Sequence, residues 1–396
     1  MRSFPHPMVR LVAGMTTAFV LTACGSESLG GGGQESESGQ ASGGGPVDIG
    51  LLVPTSGVYA PLGQDMEQGF RMFLDEKAGK LGGREAKLQV VDEGESPDTG
   101  VPGAQRLLQQ QVDAVVGIVN SGTALGVRDA FTEAKIPLIV ANAGADAITG
   151  ARKSDYVWRT SFSNGAVAGA LGAYVAQSCK SAFLIAADYA AGKEAAAGFE
   201  KTYTAAGGKV VGSVFPPFGT TTNYQPFLAQ ISQSGAACIY SFFAGAEAVA
   251  FTKQYRELGV TAKLYSSGFL TEGGVLTAAG QAAVGVETSL HYSDQIDNPR
   301  NKKFVTDYTA KYKEAPTVYA VQAYDAAQAL DKALADGAED GAGVVEGLKK
   351  IDKIDSPRGE FTFDEGHGPK QTYYLRKVES SGGGLVNKVV QELKPS

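Results

Sequence analysis

The sequence predicts an α/β fold made of two doubly wound parallel sheets, each covered by helices on both faces. Two observations support this prediction. From Pro46 onward, apolar runs of strand length alternate with segments of helical periodicity. The apolar runs are continuous, which is typical of parallel strands buried on both faces. The alternation restarts after residue 160, and a chain of 396 residues is long enough for two such units.

The first half of the chain opens with the apolar strand Ile49–Val53. Met66, Phe70, Phe73 and Leu74 then follow at the spacing of one helix face. The remaining segments of this half are strands at Leu88–Val91, Ala114–Val119 and Pro137–Ala141, and helices at Gln105–Gln111 and Ala124–Ala134. This order predicts a doubly wound sheet with right-handed crossovers.

The second half repeats the rhythm and then changes near its end. Its predicted strands are Ala182–Ala186, Val210–Phe215, Ile239–Phe243, Leu264–Ser266 and Gly285–Leu290. Its predicted helices are Gly165–Ser178, Lys193–Ala206, Gln225–Gln233, Glu247–Leu258, Asn301–Glu314, Tyr319–Ala335 and Gly343–Lys349. Gly359–Phe363 and Thr372–Val378 are predicted to form an antiparallel hairpin around residues 364–366.

The first residues have the pattern of an export signal. Arg2 and Arg10 supply positive charge, and Leu11–Ala23 is apolar but too short to span a bilayer comfortably. The stretch ends in Leu-Thr-Ala-Cys24, which resembles a bacterial lipobox, so residues 1–23 are predicted to be a signal peptide and Cys24 to carry lipid. An ordinary secretory signal with a chance cysteine is the alternative. The Gly/Ser-rich residues 24–46 have the composition of a flexible tether. The predicted location is therefore outside the cytoplasmic membrane, to which the lipid anchors the protein.

Two further cysteines, Cys179 and Cys238, would lie in an oxidising compartment. Each is next to a predicted strand, and if those strands are neighbours the two thiols meet at one edge of a sheet. The sequence leaves two alternatives open, a disulfide or two buried free thiols.

Composition and missing motifs argue against several classes of function. A net charge of -7 does not suit nonspecific nucleic-acid binding. The chain has only three histidines, and it lacks HExxH, Cys-x-x-Cys and Gly-x-Ser-x-Gly. The first strand-to-helix loop, Pro54–Gly63, has neither phosphate-binding glycine pattern. We therefore expect a binding protein rather than an enzyme, with no metal ion and no cofactor.

Open α/β sheets bind ligands beyond the carboxyl ends of their strands, so a cleft between the two halves is the expected site. Asn120-Ser121-Gly122-Thr123 follows a strand and opens a helix there. Free backbone N–H groups and a hydroxyl at a helix start can hold a carboxylate. The alternative is that Ser121 only caps the helix.

Several segments, in this order and spacing, resemble the type I periplasmic binding proteins of the leucine/isoleucine/valine kind. They are residues 55–57 with 62–63, 117–123, 158–160, 188–192, 243–247 with 254–259, and 359–364. The resemblance covers nearly the whole mature chain. It implies three crossings between lobes, near Thr160, His291 and Pro357, with residues 47–160 and 291–356 in one lobe and 161–290 and 357–396 in the other. It also implies a monomer that closes on a small ligand by hinge rotation and is recognised by the membrane permease of an ABC importer.

The resemblance assigns the ligand positions one at a time. Ser121 corresponds to the serine that binds the ligand carboxylate. The family's second carboxylate-binding hydroxyl falls on Gly144, within Ala141-Asn142-Ala143-Gly144, and is therefore missing. The family's tyrosine in the second lobe falls on Ala191, with Tyr189 two residues earlier. The acid that pairs with an α-ammonium group is absent from Ser266–Phe269, although Glu272 is close.

These departures predict a ligand that is an aromatic or apolar carboxylate without an α-amino group, because a buried ammonium without a counter-charge is costly. Aromatic side chains in the cleft loops suit a flat ring, with core packing as the alternative for each; the side chain of Phe242 is expected to point away from that of Phe243. The predicted ligand-binding residues are Ser121, Gly122, Thr123, Asn142, Ala143, Gly144, Tyr59, Tyr189, Phe243 and Phe269. The alternatives are a branched-chain or hydrophobic amino acid paired with Glu272, a ligand-sensing module of a receptor, and an enzyme on a similar fold.

Overall fold

A computed structural model describes residues 44–150 and 153–393. The strands are β1 Val47–Val53, β2 Lys80–Leu81, β3 Arg84–Asp92, β4 Ala114–Gly117, β5 Leu138–Val140, β6 Val157–Arg159, β7 Ser181–Ala186, β8 Lys209–Val214, β9 Cys238–Phe242, β10 Lys263–Ser267, β11 Glu287–Leu290, β12 Thr362–Phe363, β13 Pro369–Lys370, β14 Tyr373–Ser381 and β15 Gly384–Leu393. The α-helices are α1 Ala60–Glu76, α2 Pro97–Gln109, α3 Ser121–Ala134, α4 Asn164–Ser178, α5 Ala190–Ala205, α6 Gln225–Gln233, α7 Gly245–Glu257, α8 Gly274–Ala279, α9 Pro299–Tyr312, α10 Val318–Leu334 and α11 Gly341–Lys349. None of the helices in this part of the chain has the length and apolar character needed to cross a bilayer.

The first sheet has the strand order β2-β3-β1-β4-β5-β6, and its strands are parallel except for the short β2. Successive side chains of β1 point to opposite faces of the sheet, and helices cover both faces. Ile49, Leu51 and Val53 pack in the same apolar cluster as α1 and α10, whereas Leu52 packs in the cluster of α2 and α3. At Gly69 of α1 an added Cβ would lie 1.9 Å from a backbone oxygen of α10, so only glycine allows the two helices to pack this closely.

The second sheet has the order β15-β14-β11-β10-β9-β7-β8, with parallel pairing from β8 to β11 and antiparallel pairing for β14 and β15. It is also covered on both faces. Leu184 packs in the cluster of α4 and α5, and its neighbour Ile185 packs in the cluster of α6, α7 and α8. The predicted fold class, two doubly wound and mainly parallel sheets, is confirmed.

The chain passes between the two sheets three times. It leaves the first sheet after β6, leaves the second sheet after β11 for the helices α9 to α11, and re-enters the second sheet at β14. The strand order reverses beside β1 in the first sheet and beside β7 in the second, which creates a crevice at the carboxyl ends of each. The lobe boundaries predicted from the sequence, 47–160 with 291–356 and 161–290 with 357–396, stay a prediction.

The C-terminal hairpin differs from the predicted one. Only β12 and β13 pair around residues 364–366, and the long hairpin joins β14 to β15 instead. Its turn is Gly382-Gly383, with φ angles of +59° and +90°. Two successive residues with positive φ match the twist of a tight hairpin, and glycine adopts that conformation at little cost.

Cys179 and Cys238 form a disulfide that spans 59 residues. Cys238 opens β9 and Cys179 precedes β7, and these two strands are neighbours in the second sheet. Of the two alternatives that the sequence leaves open, the structure has the bonded one.

We expect the double variant Cys179→Ala/Cys238→Ala to unfold with a free energy lower by about 2–5 kcal/mol, because the bridge restricts the unfolded chain. Urea denaturation followed by circular dichroism measures the difference. The control is the same titration with dithiothreitol, which should affect the native protein and leave the double variant unchanged. A variant within about 0.5 kcal/mol of the native protein would contradict a stabilising role for the bridge.

Candidate functional site

A cavity, here called the central cavity, lies where the carboxyl ends of the strands of the two sheets meet. The space between its lining atoms, open solvent included, is about 350 Å³, but water-sized spheres can enter only about 30 Å³ of it, so the walls lie close together in this structure. The aromatic lining residues are Tyr59, Phe162, Tyr189, Phe242, Phe269 and Tyr319. The polar ones are Ser121, Asn142 and Asn164. The small or aliphatic ones are Leu62, Val119, Gly144, Ala191 and Ala244.

The turn between β4 and α3 brings Ser121 to the cavity. Gly117 has a φ of +140°, and an added Cβ would meet the backbone oxygen of Leu52 at 2.0 Å, so glycine is required. The next residue, Ile118, also has a positive φ, +70°, which is a strained conformation for a β-branched side chain. The chain therefore bends sharply out of the sheet before the helix begins.

Glu93 holds the end of this turn in place. Its two carboxyl oxygens accept hydrogen bonds from the backbone N–H groups of Val119 at 2.7 Å and Asn120 at 2.8 Å. Burial raises the pKa of Glu93 to about 8, against the opposing effect of these two donors. Glu93 is completely buried, so it positions the turn without contacting the cavity.

Asn120, rather than Ser121, caps helix α3. Its side-chain oxygen accepts from the backbone N–H groups of Gly122 at 2.8 Å and Thr123 at 3.1 Å. Two of the N–H groups expected to be free for a carboxylate are therefore already used. The hydroxyl and backbone N–H of Ser121 have no hydrogen-bond partner among the described residues, which leaves both for a ligand.

The aromatic walls of the cavity come from both sheets and pack on each other. Phe162, after β6, contacts Phe269 of the second sheet with ring centroids 4.8 Å apart, and Phe269 contacts Phe242 at 5.9 Å. Phe218 stacks on Tyr189 at 4.4 Å and on Tyr59 of the first sheet at 6.1 Å. These separations are typical of favourable aromatic pairs. The two sheets thus meet around the cavity through apolar rings.

The missing hydroxyl at Gly144 has a structural explanation. A Cβ at this position would lie 2.4 Å from the ring of Phe162 and 2.3 Å from the side-chain oxygen of Asn164. A threonine therefore cannot be accommodated while Phe162 occupies its present place. An aromatic ring fills the space where the family resemblance implied a second carboxylate-binding hydroxyl.

The central cavity has no charged lining residue among those described. Glu272, the candidate partner for an α-ammonium group, does not line the cavity. Its carboxylate lies 2.8 Å from the guanidinium of Arg376 and accepts the backbone N–H of Val318, also at 2.8 Å. In the described part of the chain no group of three or more His, Cys, Asp or Glu is arranged to hold a metal ion.

The structure brings some of the predicted ligand-binding residues together and not others. Ser121, Asn142, Gly144, Tyr59, Tyr189 and Phe269 all line the central cavity, and their contact with a ligand stays a prediction. Cys24 lies outside the described residues.

Gly122, Thr123 and Ala143 do not line the cavity. The N–H groups of Gly122 and Thr123 bind Asn120, and the Thr123 side chain packs against α2 at Gly100. Ala143 donates its N–H to the oxygen of Ile118 at 2.8 Å and is buried in the core. Each of these residues is committed to the fold of the first sheet.

Phe243, a predicted ligand-binding residue, does not line the cavity, whereas its neighbour Phe242 does. Phe242 is the last residue of β9 and lines the cavity, whereas the ring of Phe243 packs on Tyr224 at 5.2 Å and on Phe251 at 4.7 Å. The two side chains do lie on opposite faces, as strand geometry requires. The expectation that they point apart therefore holds, and the residue that faces the cavity is Phe242.

Sequence reasoning missed Phe162, Asn164 and Tyr319. Phe162 and Asn164 lie in and just after the first passage between the sheets, and Tyr319 lies in the first turn of α10. Phe162 and Asn164 belong to the connection from β6 to α4, which leaves the first sheet, and Tyr319 lies in a helix that follows another helix. The rule for strand-to-helix loops within one sheet therefore did not find them. The closeness of Phe162 to the predicted crossing at Thr160 was the available signal.

Residues 46–383 match the family described as Periplasmic binding protein. A solved solute-binding protein of an ABC transporter from R. palustris, in complex with benzoate, is 37% identical with a TM-score of 0.82, covering 89% of this chain and 98% of that one. Another from R. palustris, in complex with 4-hydroxybenzoate, is 31% identical with a TM-score of 0.82, covering 88% and 97%. A Leu/Ile/Val-binding protein homolog from Brucella melitensis is 29% identical, covering 87% of this chain and 91% of the relative.

At about pH 9.5, above the pKa of Glu93, we expect Glu93→Gln to lower the free energy of unfolding by about 1–3 kcal/mol, because the amide NH₂ would face a backbone N–H donor in place of an acceptor. Urea denaturation measures the loss, and hydrogen exchange at the amides of Val119 and Asn120 should speed up. Glu339→Gln, at an exposed position, is the control for the lost charge. Equal stability of Glu93→Gln and the control would contradict a positioning role.

Proposed function

Because the chain belongs to the periplasmic binding protein family, we propose that it is the extracytoplasmic solute-binding component of an ABC importer for aromatic carboxylates without an α-amino group. The ligand would lie in the central cavity between the two sheets. Hinge rotation about the three passages would close the cavity, and the permease would recognise the closed form. The bound acid would be released unchanged, so we infer no catalysis.

The observation that carries this proposal is a cavity lined by aromatic rings and by no charged residue. An α-ammonium group moved into such a site loses its hydration, which costs several kcal/mol by order of magnitude. Cation–π contacts with the rings return only about 2 kcal/mol. A benzene ring, by contrast, gains from contact with the same walls. The balance disfavours an amino acid and favours an aromatic acid.

We propose that Ser121 binds the carboxylate of the ligand. It stands at the first position of α3, where the helix dipole is positive and favours an anion. Its hydroxyl and N–H can each donate one hydrogen bond to a carboxylate oxygen. A neutral pair of donors at a helix start can therefore replace the charged partner that the cavity lacks.

The relatives support both the proposal and its alternative. The R. palustris proteins hold benzoate and 4-hydroxybenzoate, and the Brucella relative is named for leucine, isoleucine and valine. An amino acid would need an acid near its ammonium group. Because Arg376 already neutralises Glu272, which lies outside the lining, we favour the aromatic acid.

We further propose that lipid on Cys24 holds the protein at the outer face of the cytoplasmic membrane. The support is the sequence pattern alone: a positively charged start, a short apolar stretch, Leu-Thr-Ala-Cys and then a Gly/Ser-rich tether. Family membership is consistent with a location outside the cytoplasm.

The test of ligand class uses two acids that differ only by the α-amino group, 3-phenylpropanoate and phenylalanine, together with benzoate and leucine. At a ligand concentration of about 100 times Kd, binding adds about 2.7 kcal/mol to stability, which thermal unfolding detects. We expect benzoate or 3-phenylpropanoate to raise Tm and the two amino acids to have no effect. Stabilisation by leucine with none by either aromatic acid would overturn the proposal.

We expect Ser121→Ala to weaken binding of the stabilising acid by about 1–3 kcal/mol, roughly 5- to 150-fold in Kd, because the carboxylate loses a hydrogen bond. Isothermal titration calorimetry measures the change. Ser232→Ala, at an exposed position on α6, is the control. An unchanged Kd would show that Ser121 only begins the helix.

A further inference from the structure

Three tyrosines from separate parts of the fold, Tyr59, Tyr189 and Tyr319, line the same cavity. Tyr59 lies in the turn after β1, Tyr189 directly before α5, and Tyr319 in the first turn of α10. Burial raises the pKa of Tyr59 well above its usual value, and the nearby phenols of Tyr189 and Tyr319 add to the rise. All three line one cavity, and burial raises the pKa of each, so the phenols stay protonated. Each can donate one hydrogen bond and accept others.

The hydroxyl of Tyr319 is buried and has no hydrogen-bond partner among the described residues. The ring itself is firmly held, since Tyr319 is 2% exposed and stacks on Phe269 at 6.3 Å. Buried polar groups nearly always have a partner, because an unsatisfied one is costly. A phenol that lines the cavity and lacks a protein partner is suited to a partner supplied by the ligand.

The charges around these phenols decide what kind of group fits. Burial raises the pKa of Tyr319, as do Glu272 and Asp65, while Arg376, the ion-pair partner of Glu272, opposes the rise. Among the described residues, no cationic side chain lines the cavity beside these phenols to pair with a carboxylate, whereas a neutral hydroxyl needs none. Ser121, at the positive end of a helix, is the better place for the carboxylate. The cavity thus offers one location to an anion and another to a neutral donor and acceptor.

We propose that Tyr59, Tyr189 and Tyr319 form a subsite for a hydroxyl group on the aromatic ring, and that Tyr319 is the residue that separates hydroxylated from unhydroxylated acids. The inference rests on the proposed function and goes further by specifying a second polar group on the ligand. A site built to hydrogen-bond a hydroxyl rejects an analogue of the same shape that lacks it, because the protein groups are then left unpaired.

The test compares each hydroxybenzoate with the methylbenzoate of the same shape, in the 3- and 4-positions, by titration calorimetry. In the native protein we expect at least one hydroxy acid to bind about tenfold more tightly than its methyl counterpart. In Tyr319→Phe that ratio should fall to about twofold or less. The methyl acid should bind the variant at least as well as the native protein, since no buried hydroxyl is then left unpaired.

Tyr224→Phe is the matched control, because the Tyr224 hydroxyl is also buried without a partner among the described residues but does not line the cavity. It should leave the ratio unchanged. Equal binding of hydroxy and methyl acids by the native protein would overturn the subsite, as would a Tyr319→Phe variant that weakens both equally. Failure of all four acids to bind, with leucine bound, would instead overturn the proposed function and the subsite with it.

Discussion

A buried polar network on helix α10 fixes the three passages between the sheets relative to one another. The Gln322 side chain lies 2.9 Å from the Nε2 of His291, and its backbone oxygen accepts from the hydroxyl of Thr160 at 3.0 Å. One turn further on, Asp325 pairs with Arg358 at 3.0 Å, and Arg358 donates to the backbone oxygen of Thr160 at 2.6 Å. All five residues are at most 3% exposed. Burying such groups costs desolvation energy, so the network contributes mainly by specifying one arrangement of the passages.

The same network reaches the central cavity. Asn142, which lines the cavity, donates to the side-chain oxygen of Gln322 at 2.8 Å, and the ring of His291 stacks on Phe162 at 5.7 Å. Burial and the nearby Arg358 and Arg376 hold the pKa of His291 well below its usual range, so the imidazole is neutral and does not add a charge beside the cavity. The residues that line the cavity and those that join the three passages therefore contact one another directly.

The sequence predicted the order of elements well because long apolar strands and amphipathic helices are local signals. It predicted Ser121, Tyr59 and Tyr189 as cavity residues because each lies where a strand ends and the next helix begins. It assigned Phe243 rather than Phe242 to the cavity, because the face that each side chain takes depends on how β9 pairs with β7 and β10, and a segment of five residues does not determine this pairing. It missed Phe162 and Tyr319 because the positions of a passage and of a distant helix are set by the tertiary fold, through contacts such as those of Gln322.

Glu272 shows that a charged residue close in sequence to a cavity residue need not contribute its charge to the cavity. It lies three positions after Phe269, which lines the cavity, yet its carboxylate binds Arg376 and the start of α10. An acid that is already satisfied by a guanidinium and a backbone N–H has little to gain from a second cation. At Gly144 a ring has likewise taken the space of a hydroxyl. Glu272 is paired with Arg376, and the ring of Phe162 excludes a hydroxyl at position 144, so the polar groups that line the cavity are all neutral. A cavity with neutral polar groups distinguishes ligands by shape and hydrogen bonding rather than by an opposite charge.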